Sequence, residues 1–193
     1  MTAKLVDLVG KVKTGAAAKR VCLALAKHYG ATIKYGRGEP LIGVFGAALN
    51  ALGIKNKTQF VNHCAITVGD AIYLPFKPGD SQPPWRQVAT VAHECRHVQQ
   101  GADDHLLFWL RYFTSKAHRT EFETSALSVD MEVIYRLKGY LCDPYAFAEI
   151  LAWYNVRSKD IAVCAKHLAI VKNTLQRGGE VSEQIRVIAK ALA

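Results

Sequence analysis

The sequence predicts a mainly α-helical chain with a small β-hairpin or sheet, an α+β arrangement in a single domain. Three observations predict it. Apolar residues recur every three to four positions through most of the chain, the spacing of amphipathic helices. Two β-rich runs, Ala65-Ile66-Thr67-Val68 and Ala71-Ile72-Tyr73-Leu74, are joined by Gly69-Asp70, a two-residue link of the kind that closes a hairpin. Half of the 193 residues are hydrophobic, enough for one sizeable core and too many for a disordered chain.

The elements follow in order. Residues 2–13 predict a short helix with Leu5, Leu8, Val9 and Val12 on one face, broken at Gly15. A stronger helix runs from Ala16 to Tyr29, with Val21, Leu25 and His28 on one stripe, and ends at Gly30. His28 reads as a helix-end histidine favoured by the dipole. Tyr35-Gly36-Arg37-Gly38 is a loop, without the spacing of a phosphate cradle. Leu41 to Ile54 is apolar and glycine-rich; it is too short to span a membrane and reads as a buried helix. After the hairpin, Phe76 to Pro84 is a proline-bearing loop. A helix follows, with Val88, Val91, Ala92, Cys95 and Val98 as its apolar stripe and Gly101 as its stop. Leu106 to Phe113 is aromatic and apolar and reads as a helix packed under the candidate site, favoured over a hydrophobic flap, and Thr120 to Lys138 as a long helix. Asp143-Pro144 supplies a cap and first turn for a helix to about Val156, and Ser158 caps another to Arg177, stopped at Gly178-Gly179. Ser182 to Ala193 closes the chain. The domain therefore divides into N-terminal helices over 1–60, a hairpin and candidate site over 61–138, and C-terminal helices over 143–193.

The candidate site is the stretch His93-Glu94-Cys95-Arg96-His97. Residues four apart share a helix face, so His93 and His97 aim their imidazoles at one point, as two ligands of a zinc ion must. Glu94 lies about 100° further round the helix, placed to serve as a base without ligating the metal. The apolar stripe falls on the opposite side, so the motif faces away from the core that holds its helix.

The wording Ala-His-Glu-x-x-His-Val-x-Gln, with a downstream Glu-x-x-Ala, resembles the zincin metallopeptidases of the gluzincin type and is similar to small bacterial and phage-associated zincin domains. The likeness covers about residues 60–138. It implies a zincin-like core with extra N- and C-terminal helices, a strand beside the metal helix that borders the substrate cleft, and a third ligand from a later helix. It also implies peptide-bond hydrolysis, with zinc activating water and Glu94 as general base.

A catalytic zinc has three protein ligands, and the pattern that takes its third ligand from a His six residues on is absent, because Gln100 and Asp103 stand at its Gly and His positions. On the 120–138 helix, Glu121 shares a face with Ser125, Ser128 and Glu132, read as a solvent stripe. Glu123 shares one with Leu127, Asp130 and Ile134, read as semi-buried. A carboxylate on a buried face needs a partner, and Glu123 opens the Glu123-Thr124-Ser125-Ala126 of the family's form. Glu123 is favoured over Glu121. Asp130, two turns on, reads either as acceptor for a metal-ligand histidine or as an arginine partner. Tyr112, His118 and Tyr135 are open candidates for the oxyanion donor, and His105 and His118 otherwise read as surface histidines.

The net charge of +9 and pI near 9.4 permit an acidic partner, but the basic residues form no run and no stacking aromatics interleave them, so nucleic acid is not the expected partner. Five scattered cysteines without paired spacing predict reduced thiols. With no secretory pattern at the start and no apolar run of spanning length, a cytoplasmic location is expected, with packaging into a particle as the exception. The alternative to an enzyme with a polypeptide substrate is a non-enzymatic, zincin-fold component of a phage virion or secretion particle.

Overall fold

The computed structural model describes residues 8–35, 47, 64–80 and 82–193. Residues 2–7 of the first expected helix, the 36–38 loop and nearly all of the 41–54 segment lie outside them. From residue 8 the expected helix is instead a turn: Lys11 N donates to Leu8 O at 3.0 Å and Gly10 takes φ 72°. Leu8 and Val12 are buried all the same.

Helix α1 (Gly15–His28) starts on the Thr14 hydroxyl, which accepts from Ala17 N at 3.2 Å. A Cβ at Gly15 would sit 2.2 Å from Gly79 O, so the glycine is what lets the proline-bearing loop lie against this helix. The hairpin is present: β2 (Ile66–Val68) pairs antiparallel with β3 (Ala71–Leu74), turning at Gly69 with φ 62°. A strand not anticipated from sequence, β1 (Thr32–Tyr35), adds parallel to the other side of β3. The order β1-β3-β2 leaves β2 at an edge among the described residues.

Helix α2 (Pro84–Gly101) carries the motif. Pro84 occupies its first turn, where a missing N–H costs nothing. Gln87, fully buried, accepts from Gly79 N and donates to Asp80 O and Gln82 O, which fastens the preceding loop to the first turn. Gly101 is the last helical residue rather than a left-handed stop. A Cβ there would meet the His105 ring at 2.8 Å, so glycine allows the tight entry into α3 (His105–Thr114).

Helix α4 (Lys116–Lys138) begins on Ser115 and ends at Gly139, φ 77°. It is packed on two sides. Val129, Val133, Ile134 and Leu137 join α1 and α2 in one core. Leu127 and Met131 join α5 (Pro144–Ala148), a 3-10 turn (Glu149–Tyr154) and α6 (Ser158–Gln176) in a second core. The helix expected to reach Val156 thus breaks at Ala148, and its 3-10 continuation stops at Asn155 in the left-handed region, φ 52°. Ser158 is the first residue of α6, not its cap; the Arg157 side chain clamps Asp160 instead. Helix α7 (Gln184–Leu192) returns to α1. The described chain is mainly helical with a three-stranded mixed sheet, and none of its described helices is long and apolar enough to cross a membrane.

Candidate metal centre

On α2 the apolar stripe fixes the rotation of the helix. Val88, Val91, Ala92, Cys95 and Val98 are buried in the first core. His93, Glu94 and His97 lie on the other side, yet they too are 9%, 5% and 8% exposed, because α3, α4 and β2 cover them.

His93 Nε2 and His97 Nε2 are 3.2 Å apart. Glu123 on α4, 1% exposed, places Oε2 3.6 Å from the first and Oε1 3.6 Å from the second. Ligands at about 2.0–2.1 Å on a tetrahedral ion lie about 3.4 Å from one another. The three side chains can therefore converge on one metal ion, each offering an atom within 4.8 Å of the others.

The surrounding hydrogen bonds decide which atoms are available. His93 Nδ1 lies 2.8 Å from Asp130 Oδ2, which can only accept in its charged form. His97 Nδ1 lies 2.8 Å from Gln100 Oε1, and Gln100 Nε2 donates to Phe122 O at 3.1 Å, which fixes the amide's orientation. Both rings thus carry a proton at Nδ1, and their Nε2 atoms face one another. Tyr112 donates its hydroxyl to Glu123 Oε1 at 2.6 Å, while Oε2 is buried with no hydrogen-bond donor among the described residues. An orphaned carboxylate oxygen beside two converging imidazole nitrogens is the donor set a divalent cation fits.

Without a metal, burial would lower the His93 pKa, but Asp130, Glu123 and Glu94 hold it well above the ordinary value. Burial would raise Glu123; His97, His93 and the Tyr112 hydroxyl instead keep it below the usual carboxylate range. Burial and the Glu123 charge push Tyr112 well up, so it remains a donor.

Glu94 stands beside this cluster. Its Oε2 accepts from Thr67 Oγ1 at 2.6 Å, across from β2. A cavity of about 30 Å³ is lined by Glu94 and by the cluster alike, and walled further by Thr67, Phe108, Trp109, Tyr112 and Tyr154. That is room for a small ion and a water or two. A wider cleft of about 340 Å³ shares Ala65, His93, Glu94 and Tyr154 with it and is lined by Phe76, Trp85, Ile134 and Phe147.

The structure brings together His93, Glu94, His97, Glu123 and Asp130. Glu121 is exposed, but the solvent stripe assigned to it is not one: Ser128 is 4% exposed and Glu132 is fully buried, the 181–182 segment bonding to Glu132 on that face. Of the three oxyanion candidates only Tyr112 reaches the cavity; His118 is exposed against Phe122, and the Arg136 guanidinium covers Tyr135. His105 is exposed, and His28 faces Glu183 at 3.3 Å. Thr67, Gln100 and Tyr154 were not found by sequence reasoning. Gln100 had a signal, since it lies three residues after His97 on the same helix. Thr67 had a faint one, as the hydroxyl in an otherwise apolar strand, and Tyr154 had none. No protein-family model, curated protein or solved structure matches this chain.

Proposed function

We propose that the chain is a zinc-dependent peptide hydrolase with a zincin-like site, in which His93, His97 and Glu123 hold the metal and Glu94 is the general base. One observation carries the reading: the two Nε2 atoms lie 3.2 Å apart, each 3.6 Å from an oxygen of Glu123, whose Oε2 has no hydrogen-bond donor among the described residues, beside a second carboxylate on the same small cavity. Two imidazoles and one carboxylate suit zinc, and three protein ligands leave a position open, as chemistry requires. When bound, zinc supplies Lewis acidity, polarising a carbonyl and acidifying water.

The protein's own groups supply the rest. Glu94 takes the proton of the attacking water and passes it to the departing amine. Thr67 fixes the carboxylate that does this by holding one of its oxygens. Asp130 and Gln100 keep the Nδ1 protons in place, so the Nε2 lone pairs stay directed inward. The strand β2, at an edge of the sheet among the described residues, offers backbone groups to an extended polypeptide, and the wider cleft takes a side chain next to the scissile bond.

The test is the purified chain's zinc content, measured beside hydrolysis of an unfolded polypeptide library. One zinc per chain, cleavage abolished by a chelator and restored by zinc, is the expected result. Stoichiometric zinc with no cleavage of any peptide would leave the metal centre and remove the hydrolase. A chain that takes up no zinc would remove both.

A further inference from the structure

Arg119 is 2% exposed. Burying a guanidinium is costly unless its donors are used. Here Nε donates to Tyr112 O at 2.9 Å, Nη2 to Phe113 O at 3.0 Å and Nη1 to Tyr154 O at 2.8 Å. The first two acceptors lie in the last turn of α3, where helix carbonyls lack partners and the dipole is negative. The guanidinium carbon also lies 5.5 Å from the centroid of the Tyr112 ring. Arg119 therefore grips Tyr112 by its carbonyl and its ring, and it draws the end of the 3-10 turn to the same point.

The far end of Tyr112 meets Glu123. Arg119 and Glu123 are four residues apart on α4, so they share a face, and Tyr112 spans from one to the other. Its hydroxyl occupies Glu123 Oε1 and leaves Oε2 as the oxygen without a donor among the described residues. We infer that Arg119 is a positioning residue for the metal site: by fixing Tyr112 it makes Glu123 offer one oxygen only, which keeps the remaining position open. The inference rests on the zinc reading above. A side chain that merely filled the space would not need three carbonyl partners, and lysine cannot reproduce the planar fork.

The experiment uses the whole chain loaded with zinc or cobalt. Metal affinity is measured by chelator competition, coordination by the visible absorption of the cobalt form, and folding by thermal melting. Tyr112→Phe is expected to weaken metal binding about 10- to 100-fold, the cost of losing an outer partner of a ligand. Its cobalt band should weaken as the second carboxylate oxygen joins the metal. Arg119→Lys should change the band in the same direction, yet in the Tyr112→Phe background it should alter affinity by less than about twofold, within the error of additivity. If the lysine variant does not fold, Arg119→Gln, whose amide keeps two donors, takes its place in the cycle. An unchanged band and affinity in Tyr112→Phe would overturn the first link, and independent, additive losses would overturn the second. Wild-type protein that binds neither metal would instead sink the zinc reading itself.

Discussion

Thr67 on the edge strand donates its hydroxyl to Glu94 on the neighbouring helix at 2.6 Å, and both side chains are buried. The contact ties the sheet to the motif helix at the one residue assigned to move a proton. A hydrogen bond to a charged group contributes about 1.5–3 kcal/mol, or roughly 10- to 100-fold where it orients a reacting group. Thr67→Val keeps the shape and removes the donor. The expected result is a folded protein with full zinc content and kcat/KM lower by that factor. Wild-type kcat/KM in Thr67→Val would reduce the contact to packing.

The metal prediction concerns which histidines matter. His93→Ala and His97→Ala should each lose most of the zinc, because each removes one of two converging Nε2 atoms. His105→Ala and His118→Ala should retain it, since both residues are exposed and neither lines the cavity. Elemental analysis after dialysis decides this, and full zinc in His93→Ala would end the argument.

Glu94→Gln separates holding the metal from using it. The amide is nearly isosteric and can still accept from Thr67, so fold and zinc content should be unchanged. It cannot serve as a base, and the rate should fall by about 10²–10⁴-fold, the usual contribution of a positioned acid–base group. Cleavage at the wild-type rate would place the base elsewhere.

Local patterns were legible where one helix or one hairpin carried all the information. The His93–His97 spacing, the hairpin at Gly69-Asp70 and the phase that separates Glu123 from Glu121 are properties of single elements, and the structure has all three. What was hidden depended on distant chain segments. Strand β1 is four residues with no pattern longer than its pairing with β3. The face of Glu132 reads as polar along α4, but that helix is packed from two sides, and one oxygen of its buried acid accepts from backbone groups 49 and 50 residues away. Arg119 likewise finds Tyr154 only through the fold. Polar residues on a helix predict solvent only when no later segment arrives to bond them.

Glu132 gives a prediction with a pH signature. Its Oε2 accepts from Val181 N, Ser182 N and Ser182 Oγ, at 3.1, 2.7 and 2.8 Å. Glu132→Ala strands those donors and should cost about 1–3 kcal/mol; Glu132→Gln keeps an acceptor and should cost less. Burial, the largest influence, raises this carboxyl above its ordinary 4.5 despite the donors. The folded state therefore takes up a proton at a higher pH than the unfolded chain does. Stability contributed by Glu132 grows as pH falls through the raised value and levels off near 4.5. Urea unfolding of wild type and Glu132→Gln across that range checks the sign. A wild-type advantage that shrank on acidification would contradict it.

The last prediction tests the third ligand. Two residues apart on a helix means about 200° of rotation, so Glu121 and Glu123 cannot both face the metal. Glu123 is 1% exposed with an oxygen 3.6 Å from His93 Nε2, whereas Glu121 is exposed. Glu123→Gln should weaken zinc binding by more than about 100-fold, beyond the 10- to 100-fold that loss of an outer partner costs. Asp130→Asn should fall inside that lower range, because Asp130 acts through a ligand, its Oδ2 lying 2.8 Å from His93 Nδ1. Glu121→Gln should bind zinc as wild type does. The ranking of these three variants is what matters, since all of them sit on α4 and a general loosening of that helix would weaken them together. Zinc affinity that falls most in Glu121→Gln or Asp130→Asn would move the third ligand away from Glu123 and leave His93, Glu94 and His97 in their assigned roles.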